Sequence, residues 1–337
     1  CFTYLFFTVI EAYYHDIMPL KLSRPYNITC KVGIFVILCG ENMKVSIILS
    51  LYKCEKYLEK YFENALHQKG VEDIEFSIVH NNPTEREKSI ISQYRDRLNI
   101  VYKEVELEPL YKSWNRAILQ SSGEYLACWN VDDLREYDSI GKMTELLDSN
   151  ADIGFIYGDI VIVNEFGKRS GKYINTSEFT KYLGTTGAIG GPFFMWRKSL
   201  VDKVGYFDEQ FKSGGDFDYT VRLSIFSKGK KMKGVVGYFL HNGSGISTQG
   251  SELQILERTV IELRYGIWHK MDINYITDAL SYKINLITEN NKDREVDKEI
   301  YKLSKSRVLW ILFVFYGYLK SRVLRVLRVI KRSGLIK

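Results

Sequence analysis

From Lys44 to Asn130, apolar runs of strand length alternate with stretches of helical period. That alternation predicts parallel strands with helices on both faces, a Rossmann-like α/β fold. Residues 45–51 (VSIILSL) read as a buried strand. Residues 54–67 place Tyr57, Leu58, Tyr61, Phe62, Ala65 and Leu66 on one helical face. A second strand follows at 74–80, then a helix-like stretch at 84–97 whose Thr84 and Glu87 have capping-box spacing. Strand 100–105, helix 110–121 and strand 124–130 continue the pattern. A helix near 138–149 and a strand at 153–163 open a second half; the region beyond, to residue 240, is mixed. In such sheets ligands sit at the carboxyl ends of the strands. The loops after Leu51, Val79 and Asn130 are therefore expected to face one common site.

The strongest local signal is the run from Gly123 to Asp133, GEYLACWNVDD. An apolar strand delivers two adjacent carboxylates, Asp132 and Asp133, to the mouth of the sheet. Hard divalent cations such as Mg2+ or Mn2+ take oxygen ligands and bridge phosphate oxygens. Taken alone, the pair fits a helix N-cap equally well.

The surrounding segments decide between these readings by resemblance. The run from Val45 to Lys53 (VSIILSLYK) resembles the first strand and nucleotide loop of the family 2 glycosyltransferases with a GT-A fold. Tyr57-Leu58 and Trp114-Asn115-Arg116-Ala117-Ile118 are similar to the segments that follow there. So are GYFDE at 205–209, GGDFD at 214–218 with Arg222, and HNGSGIS at 241–247. The resemblance runs from about Val45 to Thr248 and implies a metal-dependent, inverting transfer of a single sugar from a nucleotide-sugar donor. On this reading Asp216 is the catalytic base, and Asp132, Asp133 and His241 hold a divalent metal, Mn2+ or Mg2+. Ser50, Leu51, Tyr52, His80, Asn81, Asn115, Asn130 and Asp132 bind the donor, and Asp218 with Arg222 supports the site. Gly190, Gly191 and Pro192 stand where the family often lines the acceptor side.

Three positions depart from the family pattern. Asn130 replaces the first Asp of the usual cluster, His80-Asn81-Asn82-Pro83 replaces a segment whose first Asp usually reads the base, and Gly215 stands where Glu is common. The signature of processive polymerising members is absent. The departures also admit a non-catalytic binding or scaffold member. A sugar-phosphate nucleotidyltransferase is disfavoured, because residues 49–53 offer no glycine- and lysine-rich phosphate loop.

The ends of the sequence carry separate expectations. Met43-Lys44 looks like the start of the folded domain, so residues 1–42 are expected to lie outside it. A catalytic domain at 43–250, a helical extension at 251–300 and a tail at 301–337 complete the division. The tail holds five Lys and five Arg with no acid, so residues 1–300 are net acidic although the whole chain is +6. Its twelve uncharged residues at 308–319 are short for a span, which needs about 20. Beyond them Arg322, Arg325, Arg328 and Arg332 oppose Val323, Val326, Leu327 and Ile330 on a helix. This reads as an interfacial anchor on an anionic leaflet, suited to a lipid-linked or glycan acceptor in surface polysaccharide synthesis. The expected location is the cytoplasmic face of the cell membrane. No stacking platform accompanies the charge, so nucleic acid is not an expected partner. The cysteines (Cys1, Cys30, Cys39, Cys54, Cys128) have no paired spacing, which fits a reducing compartment and shows no zinc motif.

Overall fold

A computed structural model describes residues 43–180, 193–243 and 252–265, all within one compact unit that begins at residue 41. Residues 1–42 and 301–337, with the expectations attached to them, lie outside the described residues, as do Gly190, Gly191 and Pro192.

The alternating pattern forms as expected. In chain order the first half is β1 (Val45–Leu51), α1 (Glu55–Leu66), β2 (Ile74–Asn81), α2 (Glu85–Ser92), β3 (Asn99–Val105), α3 (Leu110–Gln120) and β4 (Tyr125–Cys128). The second half contains β5 (Leu134–Arg135), α4 (Ser139–Asp148), β6 (Ile153–Val163), β7 (Lys172–Ile174), β8 (Met195–Arg197) and α5 (Val201–Val204). It ends with α6 (Gly215–Phe226), β9 (Lys228–Leu240) and α7 (Glu252–Tyr265). The strands form one sheet in the order β3-β2-β1-β4-β8-β6-β9-β5, with β7 beside β6. Strands β1 to β4 run parallel, and β8 is the antiparallel insert between β4 and β6.

Strand periodicity divides the core between the two faces. Val45, Ile47 and Leu49 of β1 pack with Leu58, Tyr61 and Phe62 of α1, Ile90 and Ile91 of α2, and Met143 and Leu147 of α4. On the other face, Ile48 joins Leu126 and Cys128 of β4, Trp114 and Ile118 of α3, and Tyr219 and Leu223 of α6. α2 ends at Ser92, short of the expected residue 97, because the chain passes into turns from Gln93 onward. The parallel register aligns Leu51 with His80 and Ile48 with Cys128, so the β1, β2 and β4 termini open on one rim.

Candidate active site

The acidic pair sits in the turn after β4. Asp133 is fully buried, and its Oδ1 accepts the Leu240 N–H at 2.9 Å, across to the end of β9. Its Oδ2 is buried with no hydrogen-bond partner. Burial, and then the Asp132 charge, push the Asp133 carboxyl far above the usual carboxylate range; the Leu240 N–H and the Asn130 side chain act the other way. Asp132 is half-buried, and desolvation raises it too, with Lys56 opposing. Two adjacent carboxylates, one with a buried oxygen that has no hydrogen-bond partner, are chemically suited to an oxygen-seeking divalent cation. His241 follows Leu240 directly; its N–H bonds the Val163 carbonyl at 2.8 Å, and the residue is exposed at the same rim.

Asp216 lies in the first turn of α6. Burial raises its carboxyl to about 6, and the negative charge of Glu257 adds to this. The Phe217 N–H, donated to Oδ1 at 2.8 Å, and Tyr111 act in the opposite sense. A carboxylate that titrates near 6 is ionised at neutral pH and close enough in basicity to take a proton. The Asp216 charge is also felt at Cys128, the last residue of β4, which places α6 at the same end of the sheet as the acidic pair. Asp218 is fully buried and pairs with Arg222 one turn on, through Nε at 2.9 Å and Nη2 at 2.8 Å. Arg222 also donates to the Val204 carbonyl at 2.5 Å, which ties α6 to α5.

Gly215 departs from the family pattern for a steric reason. A Cβ there would lie 2.6 Å from the Tyr111 ring. Tyr111, stacked parallel to Phe207 at 5.8 Å, occupies the space that a side chain at 215 would take.

The expected donor contacts divide into two groups. Tyr52 is exposed, and Lys53 approaches its ring at 5.2 Å, with Ser50 and Leu51 just before it. Asn81 is a buried hub that donates to Ser113 Oγ at 3.1 Å, and to Ser50 Oγ and the Leu51 carbonyl at 3.3 Å each. It thereby shapes the loop after β1 rather than presenting its amide to the rim. His80 and Asn115 are buried and held by protein partners. The His80 ring is fully buried, with Nδ1 2.9 Å from the Tyr102 hydroxyl and Nε2 3.4 Å from Glu87. The Asn115 amide is consumed by the Phe207 backbone on both sides and by Glu209, all at 2.9 Å. It joins α3 to the GYFDE segment.

Two arrangements have no sequence signal. Cys54, His80 and Glu87 each bring one ligand atom within 4.8 Å of the others. Glu87, however, already accepts from the Cys54 N–H at 2.7 Å and from the Thr84 N–H at 2.9 Å, so the cluster braces the loop after β1 from below. Arg135 is fully buried behind Asp133, with Nη2 donating to the Cys128 and Phe193 carbonyls at 2.8 and 3.1 Å. Desolvation lowers it to about 10, and its charge favours the ionised form of Asp133. A separate hollow of about 550 Å³, lined by Gly123, Glu124, Arg197 and Lys198 among others, contains none of the expected site residues.

The Glycosyl transferase family 2 model matches residues 46–205. Residues 46–205 thus carry a family 2 glycosyltransferase domain. Curated relatives include an uncharacterized glycosyltransferase of Methanocaldococcus jannaschii, 26% identical over 187 residues, or 53% of this chain and 63% of that protein. Chondroitin synthase of Pasteurella multocida is 19% identical, with 81% of this chain and 29% of the synthase covered. Poly(ribitol-phosphate) beta-N-acetylglucosaminyltransferase TarS of Staphylococcus aureus is 27% identical over 54% of this chain and 33% of its own length. The chain therefore spans less than two thirds of each of these relatives. The crystal structure of S. aureus TarS 1–349 in complex with UDP-GlcNAc shares the fold, with a TM-score of 0.56 at 18% identity over 82% of this chain and 79% of that one. The glycosyltransferase domain thus has the GT-A fold.

Proposed function

We propose that this glycosyltransferase moves a single sugar from a nucleotide-sugar donor to a glycan acceptor, with inversion and with a divalent metal bound. The buried, unpartnered Oδ2 of Asp133 beside Asp132 carries this reading. Asp132 and Asp133 would hold the metal, together with His241, the residue directly after the end of β9. A divalent cation held there would supply positive charge to offset that of the departing diphosphate. Asp216 takes the proton of the acceptor hydroxyl. The acceptor oxygen then bonds to the anomeric carbon, the bond from that carbon to the diphosphate oxygen breaks, and the nucleoside diphosphate departs. The exposed Tyr52 ring offers a face to the donor base, held by Ser50, Leu51 and the buried Asn81 hub. The Asp218–Arg222 pair fixes α6 and, with it, Asp216.

UDP-GlcNAc is the first donor to test, because the TarS structure binds it. Purified full chain is incubated with UDP-GlcNAc and a panel of other nucleotide sugars with Mn2+, and nucleotide release is followed with and without EDTA. Release that stops with EDTA, and in Asp132→Ala and Asp216→Asn with the fold retained, is the expected result. Release that survives EDTA would remove the metal from the reaction and the acidic pair from its role.

The tail at 301–337 supplies the second half of the proposal. Its basic, apolar-faced sequence suits attachment to the inner face of a membrane where a lipid-linked acceptor is presented. No described helix is long and apolar enough to cross a membrane.

A further inference from the structure

Glu257 belongs to α7, in a stretch where the sequence shows only charge and helical character. It is fully buried, and its carboxylate reaches the loop that leads into α6. Oε1 accepts the N–H of Lys212 at 2.8 Å, and Oε2 accepts those of Ser213 at 2.8 Å and Gly214 at 2.7 Å. Three successive backbone N–H groups thus close on one side chain from a distant helix, an anion-holding arrangement of the backbone. The α6 N-cap, Gly214, has no side chain to cap the helix itself. The approach is also close: a Cβ at 214 would stand 3.0 Å from Ile261 Cδ1 and 3.3 Å from Glu257 Cβ. Asp216 lies two residues farther on.

We propose that Glu257 is a positioning residue for Asp216, one that fixes the start of α6 and so the direction in which the Asp216 carboxyl meets the rim. The inference rests on the reading of Asp216 as the base. It assigns a role in the transfer to α7, outside the stretch matched by the family model. The titratable groups around Asp216 are Tyr111 from α3, Glu257 from α7 and Cys128 from β4. Arg258, next to Glu257, pairs with Glu262 at 3.0 Å and lies over the Phe217 ring at 5.7 Å. Of these groups Glu257 is the one whose negative charge opposes ionisation of Asp216.

The test uses the full chain with carboxyl-labelled aspartate, and Asp216→Asn identifies the Asp216 resonance. Titration of that resonance is compared in wild type, Glu257→Gln and Gly214→Ala, with thermal unfolding recorded for each. Glu257→Gln is expected to move the Asp216 midpoint to lower pH, because a like charge is removed. With UDP-GlcNAc it should lower kcat by about tenfold or more while the donor KM stays within about twofold, the pattern of a misplaced group rather than of lost binding. Gly214→Ala leaves the Glu257 charge in place but crowds the carboxylate, and should lower kcat by less, with the donor KM again within about twofold. If Glu257→Gln does not fold, Gly214→Ala decides alone. A folded variant with the Asp216 midpoint and kcat both unmoved would overturn the proposal. Failure of the base reading looks different: Asp216→Asn would then keep wild-type turnover.

Discussion

At the level of single residues, Asp216 shows how the site trades stability for chemistry. Its carboxyl is raised from 3.8 to about 6, chiefly by burial. Below pH 3.8 it is protonated in the folded and unfolded chain alike and adds nothing to the pH dependence. Between 3.8 and 6 the folded chain holds a proton that the unfolded chain has released, so stability falls as pH rises through this window. Above 6 the loss is complete, with an upper bound of about 3 kcal/mol that solvent at this half-buried group reduces. Asp216→Asn should therefore raise the unfolding temperature at pH 8 and leave it nearly unchanged at pH 3.5, a difference readable by calorimetry. An equal effect at both pH values would rule out ionisation as the cause. The donor residues carry a related lesson. The matching segments suggest His80 and Asn115 as donor contacts, and sequence order does not tell which partners a side chain finds in the fold. Both are held inward by partners 22 and 92 residues away, Tyr102 and Phe207.

Among elements, the first half was legible because each strand and helix carries its own period. β1 alternates between two buried faces, and α1 gathers its apolar residues on one side. The capping box of α2 was visible as a spacing and forms with both reciprocal bonds. Thr84→Ala removes the side-chain acceptor of the Glu87 N–H at 3.1 Å. A typical cap substitution costs about 1 kcal/mol, within a range of roughly 0.5 to 2. Here Glu87 also accepts the Cys54 N–H, so the loop after β1 loosens with the helix. A destabilisation toward the upper end of that range is expected in urea unfolding; a value below about 0.5 kcal/mol would show that the two bonds act independently. Apart from β6, which was read at 153–163, the second half hid its strands. β9 is long but rich in Lys and Gly, and it takes its shape from pairing with β6, including register shifts at Gly158 and Asp159. β5, β7 and β8 have two or three residues each, too few for any period to show. Glu257 was equally hidden, since its meaning depends on a loop 43 to 45 residues away.

For the molecule as a whole, the charge division read from the sequence gives the clearest experiment. A slightly acidic body and a tail with ten basic residues call for different partners. Removal of residues 301–337 should leave turnover of UDP-GlcNAc with a water-soluble acceptor within about twofold and abolish sedimentation with vesicles containing anionic phosphatidylglycerol. Full-length chain should release from the same vesicles as salt is raised, since exposed charges are screened over about 10 Å at 0.1 M. Binding that survives the deletion would place membrane contact elsewhere on the chain.

The bond from the Leu240 N–H to Asp133 has a consequence for how relatives diverge. Asp133 fastens the turn after β4 to the end of β9, whereas among the described contacts Asp132 makes no such bond to another strand. A lineage that gave up catalysis would still be under selection to keep Asp133 and would be free to drift at Asp132. Retention of Asp133 in a relative thus testifies to an intact scaffold, and retention of both to a working enzyme.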